Sequence, residues 1–208
     1  MTIEAWAAFA AASTILLLIP GPTILLVVSY ALGQGWRAAL PMAIGVALGD
    51  FTAMTASVFG LGLLLAASAT VFTALKWAGA AYLVWLGIKL WRAGGELDAK
   101  PRTDRASAAR LVAHAWLVTA LNPKSLVFFV AFLPQFIDPA RPFLPQVAVF
   151  EATFLALAFA NALLYAALAS RARTLVRSQR VVTALNRVGG SLLIGAGIAT
   201  VSVRSGAS

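Results

Sequence analysis

Cysteine is absent from the 208 residues, histidine occurs once, and seven acidic side chains stand against sixteen lysines and arginines. Without cysteine there is no disulfide framework and no thiolate zinc module. One histidine does not assemble a transition-metal site. Charged residues make up 11% of the chain, under half the roughly 25% usual in soluble domains. A disordered tail and a soluble globular domain are both poor descriptions of such a chain. What is plentiful is hydrophobic side chain, 61% of the total, with a mean hydropathy of +0.89. The net charge of +9 does not imply nucleic acid, which needs a basic face set in polar surface. Here the basic residues fall between long apolar runs, so anionic lipid headgroups are the implied partner.

A helix crossing a bilayer core of about 30 Å needs about 20 mostly apolar residues. Six stretches qualify: Ala5–Leu32, Ala39–Leu65, Val71–Leu90, Leu111–Leu133, Phe143–Ala169 and the short, Gly-rich Val188–Val203. The expectation is an all-α membrane protein, a single integral membrane domain over 1–208. The first run carries Glu4 and no lysine or arginine in its first turn, so it reads as a span and not as a secretory signal. The segments between spans 1 and 2, 3 and 4, and 5 and 6 hold twelve lysines and arginines, among them Arg37, Arg92, Arg105, Arg110, Arg171 and Arg180. The opposite side holds Lys76, Arg141 and Arg204. Positive charge marks the cytoplasmic face, which puts both termini outside. The hydrophilic stretch at about 94–107 divides two three-helix halves, about 1–93 and 108–208.

An offset of 101 residues places Pro22 on Pro123, Leu32 on Leu133 and Asp50 on Glu151. Each half then has a proline inside its first span and an acid inside its second. Three helices per half is an odd number, so the halves enter the membrane from opposite sides. That is the inverted repeat of many secondary transporters.

Pro20-Gly21-Pro22 interrupts span 1. A proline lacks an N–H and clashes with the carbonyl four residues earlier, so the carbonyls of Leu16 and Leu18 are freed. Unpaired backbone survives at membrane depth only where protein or water satisfies it. The half-helix beginning at Thr23 presents bare N–H groups and a positive dipole end. The break suits a carboxylate on one side and a cation on the other; a bare kink is the alternative. Asn122-Pro123-Lys124 repeats the arrangement in span 4, freeing the Thr119 carbonyl and placing an ammonium inside the span; the alternative there is a lysine that snorkels to the interface.

Asp50 and Glu151 lie well inside spans 2 and 5. With Lys124, three unpaired charges cost roughly 8–10 kcal/mol. They must pair, protonate or face water. Either they form a static ion pair between the halves, or a carboxylate alternates between a proton and a substrate ammonium. Gly45 and Gly49 form a small-xxx-small face that lets a second helix approach; Gly79, Gly87, Gly189, Gly190, Gly195 and Gly197 read the same way. His114 reads as packed or interfacial, and Asn161 has no clear assignment. Trp77 and Trp91 suit the two interfaces, while Tyr82 and Trp85 lie deeper. No Ser/His/Asp set, phosphate loop or cluster of metal ligands appears, so neither an enzyme nor a cofactor is expected.

The stretch from Pro20-Gly-Pro-Thr through Gly35 and Gly45, the run Lys76-Trp-Ala-Gly-Ala-Ala-Tyr-Leu-Val-Trp-Leu-Gly-Ile-Lys, the segment Leu121-Asn-Pro-Lys-Ser-Leu-Val-Phe-Phe-Val-Ala-Phe-Leu-Pro-Gln-Phe, and Asn186-Arg-Val-Gly-Gly-Ser-Leu-Leu-Ile-Gly-Ala-Gly resemble the LysE/RhtB amino-acid exporters. The resemblance covers almost the whole chain. It implies efflux of amino acids across the bacterial inner membrane, driven by the proton gradient. Pro20, Gly21 and Pro22 match the family's first-helix motif, and Asn122, Pro123 and Lys124 its fourth. Thr23 stands where the family often has Asn, and Ala39 where glycine is frequent.

The sequence-based expectation is therefore a six-helix, inverted-repeat exporter of a small amino acid or derivative, with helices 1 and 4 broken. The substrate site comprises Gly21, Pro22, Thr23, Asp50, Asn122, Pro123, Lys124 and Glu151. Half-helix N-termini and Lys124 hold the carboxylate. Asp50, Glu151 and the freed carbonyls hold the ammonium, and Asp50 or Glu151 carries the proton. An exporter of metal or drug-like cations and a non-transporting scaffold subunit are the rival readings. A homo-oligomer is compatible with either.

Overall fold

The computed structural model describes residues 1–67, 69–92 and 106–171, with single or paired helical positions between 180 and 198. Most of the expected sixth span (188–203) and of the hydrophilic stretch (94–107) lies outside the described residues. Within them the chain is helical and contains no strand.

The helices are α1 (Ile3–Leu18), α2 (Pro22–Gln34), α3 (Ala39–Ala67), α4 (Ala69–Arg92), α5 (Ala108–Ala120), α6 (Pro123–Ala131) and α7 (Phe143–Arg171). Span 1 is α1 plus α2, and span 4 is α5 plus α6. Both interruptions fall where the prolines put them. Ile19, preceding Pro20, is extended at φ −77°, ψ 116°, because a following proline disfavours the helical region. Pro22 and Pro123 then occupy first-turn positions of α2 and α6, where a missing N–H costs nothing. The α5–α6 pair bends by 49°. A 3-10 turn at Gly35–Ala38 links α2 to α3. It begins at Gly35, whose φ of +67° favours glycine.

By length and composition, 22–60 and 143–171 are apolar enough to cross a bilayer, and the bent α5–α6 pair makes a third such stretch. The surface agrees. Leu40, Ile44, Leu48 and Phe51 form an exposed stripe along α3, and Leu164 and Leu168 are exposed on α7. Asp50, Lys124, Ser125, Asn122 and Thr119 are buried. Apolar outside and polar inside is the arrangement of a chain solvated by lipid. Trp77 and Trp91 are exposed, as expected of interfacial residues, but so is Trp85. It does not join the core as expected; its ring lies on α4's outer face, with the Lys89 ammonium 5.1 Å from its centre.

Two glycines set a close helix contact. A Cβ at Gly45 would strike the Val112 carbonyl oxygen, and one at Gly49 would lie 2.6 Å from Thr119 Cβ and 2.8 Å from the Trp116 carbonyl oxygen. Thus α3 lies directly on the backbone of α5. Gly87 and Gly190 make an equally close approach, 2.6 Å from a Gly87 Cβ position to the Gly190 carbonyl oxygen.

The ends of the bundle are fixed by contacts. Arg141 Nη1 donates to the Met1 carbonyl at 2.9 Å, which puts the start of α1 beside the α6–α7 connection. Phe9, Phe128, Phe129, Phe132, Phe136, Phe150 and Phe154 pack at this end, with ring centres 4.7–6.3 Å apart. Gly33, Gln34, Arg37, Ala106 and Leu111 share the opposite end.

Candidate functional site: two broken helices that cap one another

The break in α1–α2 leaves the last carbonyls of α1 without helical partners. Side chains from two other helices supply the donors. Lys124 Nζ, on α6, donates to the carbonyl oxygens of Leu16 and Ile19, both at 2.9 Å. On α7, Asn161 Nδ2 donates to Leu17 O at 3.0 Å and Tyr165 OH to Leu18 O at 2.8 Å. Four successive carbonyls are thereby satisfied. The freed carbonyls expected to face a substrate ammonium are occupied by protein donors instead. Lys124 does not snorkel; it is buried, with its stem against Gly21, where a Cβ position lies 3.5 Å from Nζ.

The second break is served from the first. Thr23 Oγ1, in the first turn of α2, accepts from Thr119 Oγ1 and from Asn122 Nδ2, both at 3.2 Å. The Asn122 side chain also caps α6, accepting from Lys124 N at 3.1 Å. By contrast, α2 has Gly21 at its N-cap and no side-chain cap. Its positive end lies beside Thr23 and Lys124.

Asp50 is 2% exposed. Its carboxylate interacts with the Ser125 hydroxyl and with the charge of Lys124, yet Oδ1 has no hydrogen-bond partner among the described residues. Buried polar atoms are rarely left so. Asp50 and Lys124 approach without an ion pair: within 4 Å, the pair found among the described residues is Arg141–Asp138 at the surface.

The structure therefore gathers Gly21, Pro22, Thr23, Asp50, Asn122, Pro123 and Lys124 at the breaks. Glu151 stands apart from them. It is half-buried on α7, and its Oε1 accepts from Thr55 Oγ1 at 2.7 Å. Five residues separate Thr55 from Asp50 on α3, which turns them about 140° apart around the helix. The Ser125 and Tyr165 side chains, and the hydroxyl of Thr119, lie outside the expected site set. Tyr165 carried a signal: it follows Asn161 by four residues, so the two share one face of α7. His114 is packed, with Nδ1 3.1 Å from Tyr30 OH. No group of three or more His, Cys, Asp or Glu suited to a metal ion occurs among the described residues.

Buried charge inside an apolar exterior describes a membrane protein, and comparison supplies the family. The model of the LysE type translocators matches residues 14–203. The chain belongs to the LysE family. Relatives with full-length similarity include an uncharacterised membrane protein of Vibrio cholerae, 38% identical over 95% of this chain and 97% of the relative. A homoserine/homoserine lactone efflux protein of Salmonella typhimurium is 37% identical over 98% of this chain and 99% of the relative. A leucine efflux protein of Enterobacter sp. (strain 638) is 30% identical over 59% of each chain. No solved structure matches. The family is one of membrane transporters, and the described residues of this LysE-family chain are helical and strand-free, with apolar helices to match.

Proposed function

We propose that the protein exports a small amino acid or amino-acid derivative across the bacterial inner membrane by proton antiport. The observation that carries the reading is the buried, incompletely bonded Asp50 carboxylate beside two broken helices. The names of the efflux relatives support the substrate class: homoserine and its lactone for one, leucine for another. Both are small and carry an amino group.

In this reading the substrate ammonium pairs with Asp50 Oδ1. The substrate carboxylate meets the N-terminus of α2 at Gly21, Pro22 and Thr23, close to Lys124. Two of the three Lys124 donors hold α1, which leaves one for the substrate. Asn122 and Pro123 hold the second break in register. Asp50 binds either a proton or the ammonium, so release of one on each side of the membrane accompanies uptake of the other. Glu151 is the second proton-carrying candidate, on the α3–α7 face.

The architecture proposed is one domain over 1–208, six spans in two inverted halves, with both termini outside. The exchange of bonds between the breaks supports it. Thr23 and Lys124 correspond under the 101-residue offset, and each reaches across to the other break. Anionic lipid headgroups would contact the arginine-rich end, and assembly into homo-oligomers is compatible with the exposed apolar faces.

A counterflow screen of the twenty amino acids in proteoliposomes tests the function. With homoserine and its lactone added to the twenty, accelerated exchange of homoserine or leucine, lost on heat inactivation, is the expected result. Exchange of none of these, together with exchange of a metal or organic cation, would replace this reading with the cation-exporter rival.

A further inference from the structure

At the arginine-rich end a solvent-open cavity of about 380 Å³ is lined by Gly33, Gln34, Arg37, Pro41, Ala106 and Leu111, among others. Its walls are the end of α2 and the start of α5. Those two helices continue inward to the breaks and pair side by side. Thr23 bonds Thr119, Tyr30 OH lies 3.1 Å from His114 Nδ1, and Gly33 and Leu111 face the same cavity. The paired numbers rise on one helix as they fall on the other, the mark of an antiparallel seam. Along it the polar pairs recur: the mouth, then Tyr30–His114, then Thr23 with Thr119 and Asn122. Seven residues from Tyr30 to Thr23 are about 10 Å of helix.

We infer that this seam is the route by which substrate enters from the cavity, and that the Tyr30–His114 pair is its gate. Tyr30 is buried, its ring set edge-on to His114 with centres 5.8 Å apart. The pair closes the seam between the mouth and the breaks. At the opposite end the phenylalanines fill the bundle. Phe9, Phe129, Phe150 and Phe154 are fully buried there, whereas the cavity lies at the other end. Arg37 at the mouth suits a substrate carboxylate. Entry then requires the Tyr30 hydroxyl to leave His114 while the Thr23–Thr119 contact below stays in place. The inference rests on the exporter reading, but its test does not use transport.

The absence of native cysteine makes the chain its own background. Single-cysteine variants Gln34→Cys (mouth) and Thr23→Cys (breaks) are reconstituted and treated with an impermeant cationic thiosulfonate from each side. Gln34→Cys is expected to react rapidly from one side, and Thr23→Cys slowly from that same side. Adding Tyr30→Ala or His114→Ala is expected to speed the Thr23→Cys reaction about five- to tenfold, the factor expected for loss of a hydrogen bond, and to leave the Gln34→Cys rate unchanged. Tyr30→Phe, which keeps the ring, guards against misfolding of the alanine variants and should give a smaller increase of the same sign. An unchanged Thr23→Cys rate in Tyr30→Phe and in every alanine variant that keeps the Gln34→Cys rate would overturn the gate. Faster reaction of Thr23→Cys from the side opposite Gln34 would overturn the route.

Discussion

Lys124 Nζ lies 2.9 Å from the carbonyl oxygen of Leu16, a contact between residues 108 positions apart that ties the end of one broken helix to the start of another. A second bond to Ile19 O, also at 2.9 Å, makes the ammonium a cap for α1. A buried lysine costs about 2.5–3.5 kcal/mol on insertion scales, and the Ile19 carbonyl costs about 1–3 kcal/mol when unpaired; the Leu16 carbonyl also accepts from Ile19 N at 3.3 Å. Each group relieves the other. Lys124→Met is expected to lower stability by about 1–3 kcal/mol, read as an earlier thermal transition in detergent. An unchanged transition would show that water replaces the ammonium.

Asn161 and Tyr165 complete the same cap from α7. Asn161→Leu and Tyr165→Phe should each cost about 1–2 kcal/mol. Because both hold one helix end, the double variant should depart from additivity by at least about 0.5 kcal/mol. Strict additivity across the unfolding series would mean that the two carbonyls are held independently.

The α3–α5 contact admits no side chain at Gly49, where a Cβ would lie 2.6 Å from Thr119 Cβ and 3.0 Å from Ala120 N. Gly49→Ala should destabilise by about 1–3 kcal/mol through forced separation of the helices. A Cβ at Gly60 meets nothing within 4 Å, so Gly60→Ala is the matched control and should be neutral or slightly stabilising. Equal effects of the two would refute the packing assignment.

Glu151, on α7, accepts from Thr55, which lies on another face of α3 from Asp50. Glu151→Gln keeps an acceptor for Thr55 and is expected to retain pH-driven efflux within about threefold, with Thr55→Val the more disruptive change, since it leaves the Glu151 carboxylate without that donor. Flux from loaded vesicles under an imposed pH gradient decides this. Loss of coupling in Glu151→Gln would make Glu151 the proton carrier.

Much of this was legible in the chain. Prolines act through local sterics, so Pro20, Pro22 and Pro123 disclosed both breaks; of the carbonyls expected to be freed, Leu16 and Thr119 accept other backbone donors, Ile19 N at 3.3 Å and Asn122 N at 3.0 Å. The spacing of Gly45 and Gly49 disclosed the helix contact. What the sequence did not disclose is which distant donors meet those carbonyls, because contacts such as Lys124 to Leu16 depend on packing and not on period. The same limit explains Glu151. A buried acid announces a cost, but whether Lys124 or Thr55 meets it is set by the rotation of α3 and α7. Trp85 was expected deeper because its place mid-helix gives depth without direction.

The most direct test of the central claim is pH-driven transport by Asp50→Asn. Wild-type and variant proteins are reconstituted in proteoliposomes loaded with a labelled amino acid identified by counterflow, and flux is followed with and without a pH gradient. The account predicts that wild type responds to the gradient, whereas Asp50→Asn folds with a comparable thermal transition and shows no gradient-dependent component. A variant that responds to the gradient as wild type does would contradict it and remove Asp50 from the mechanism.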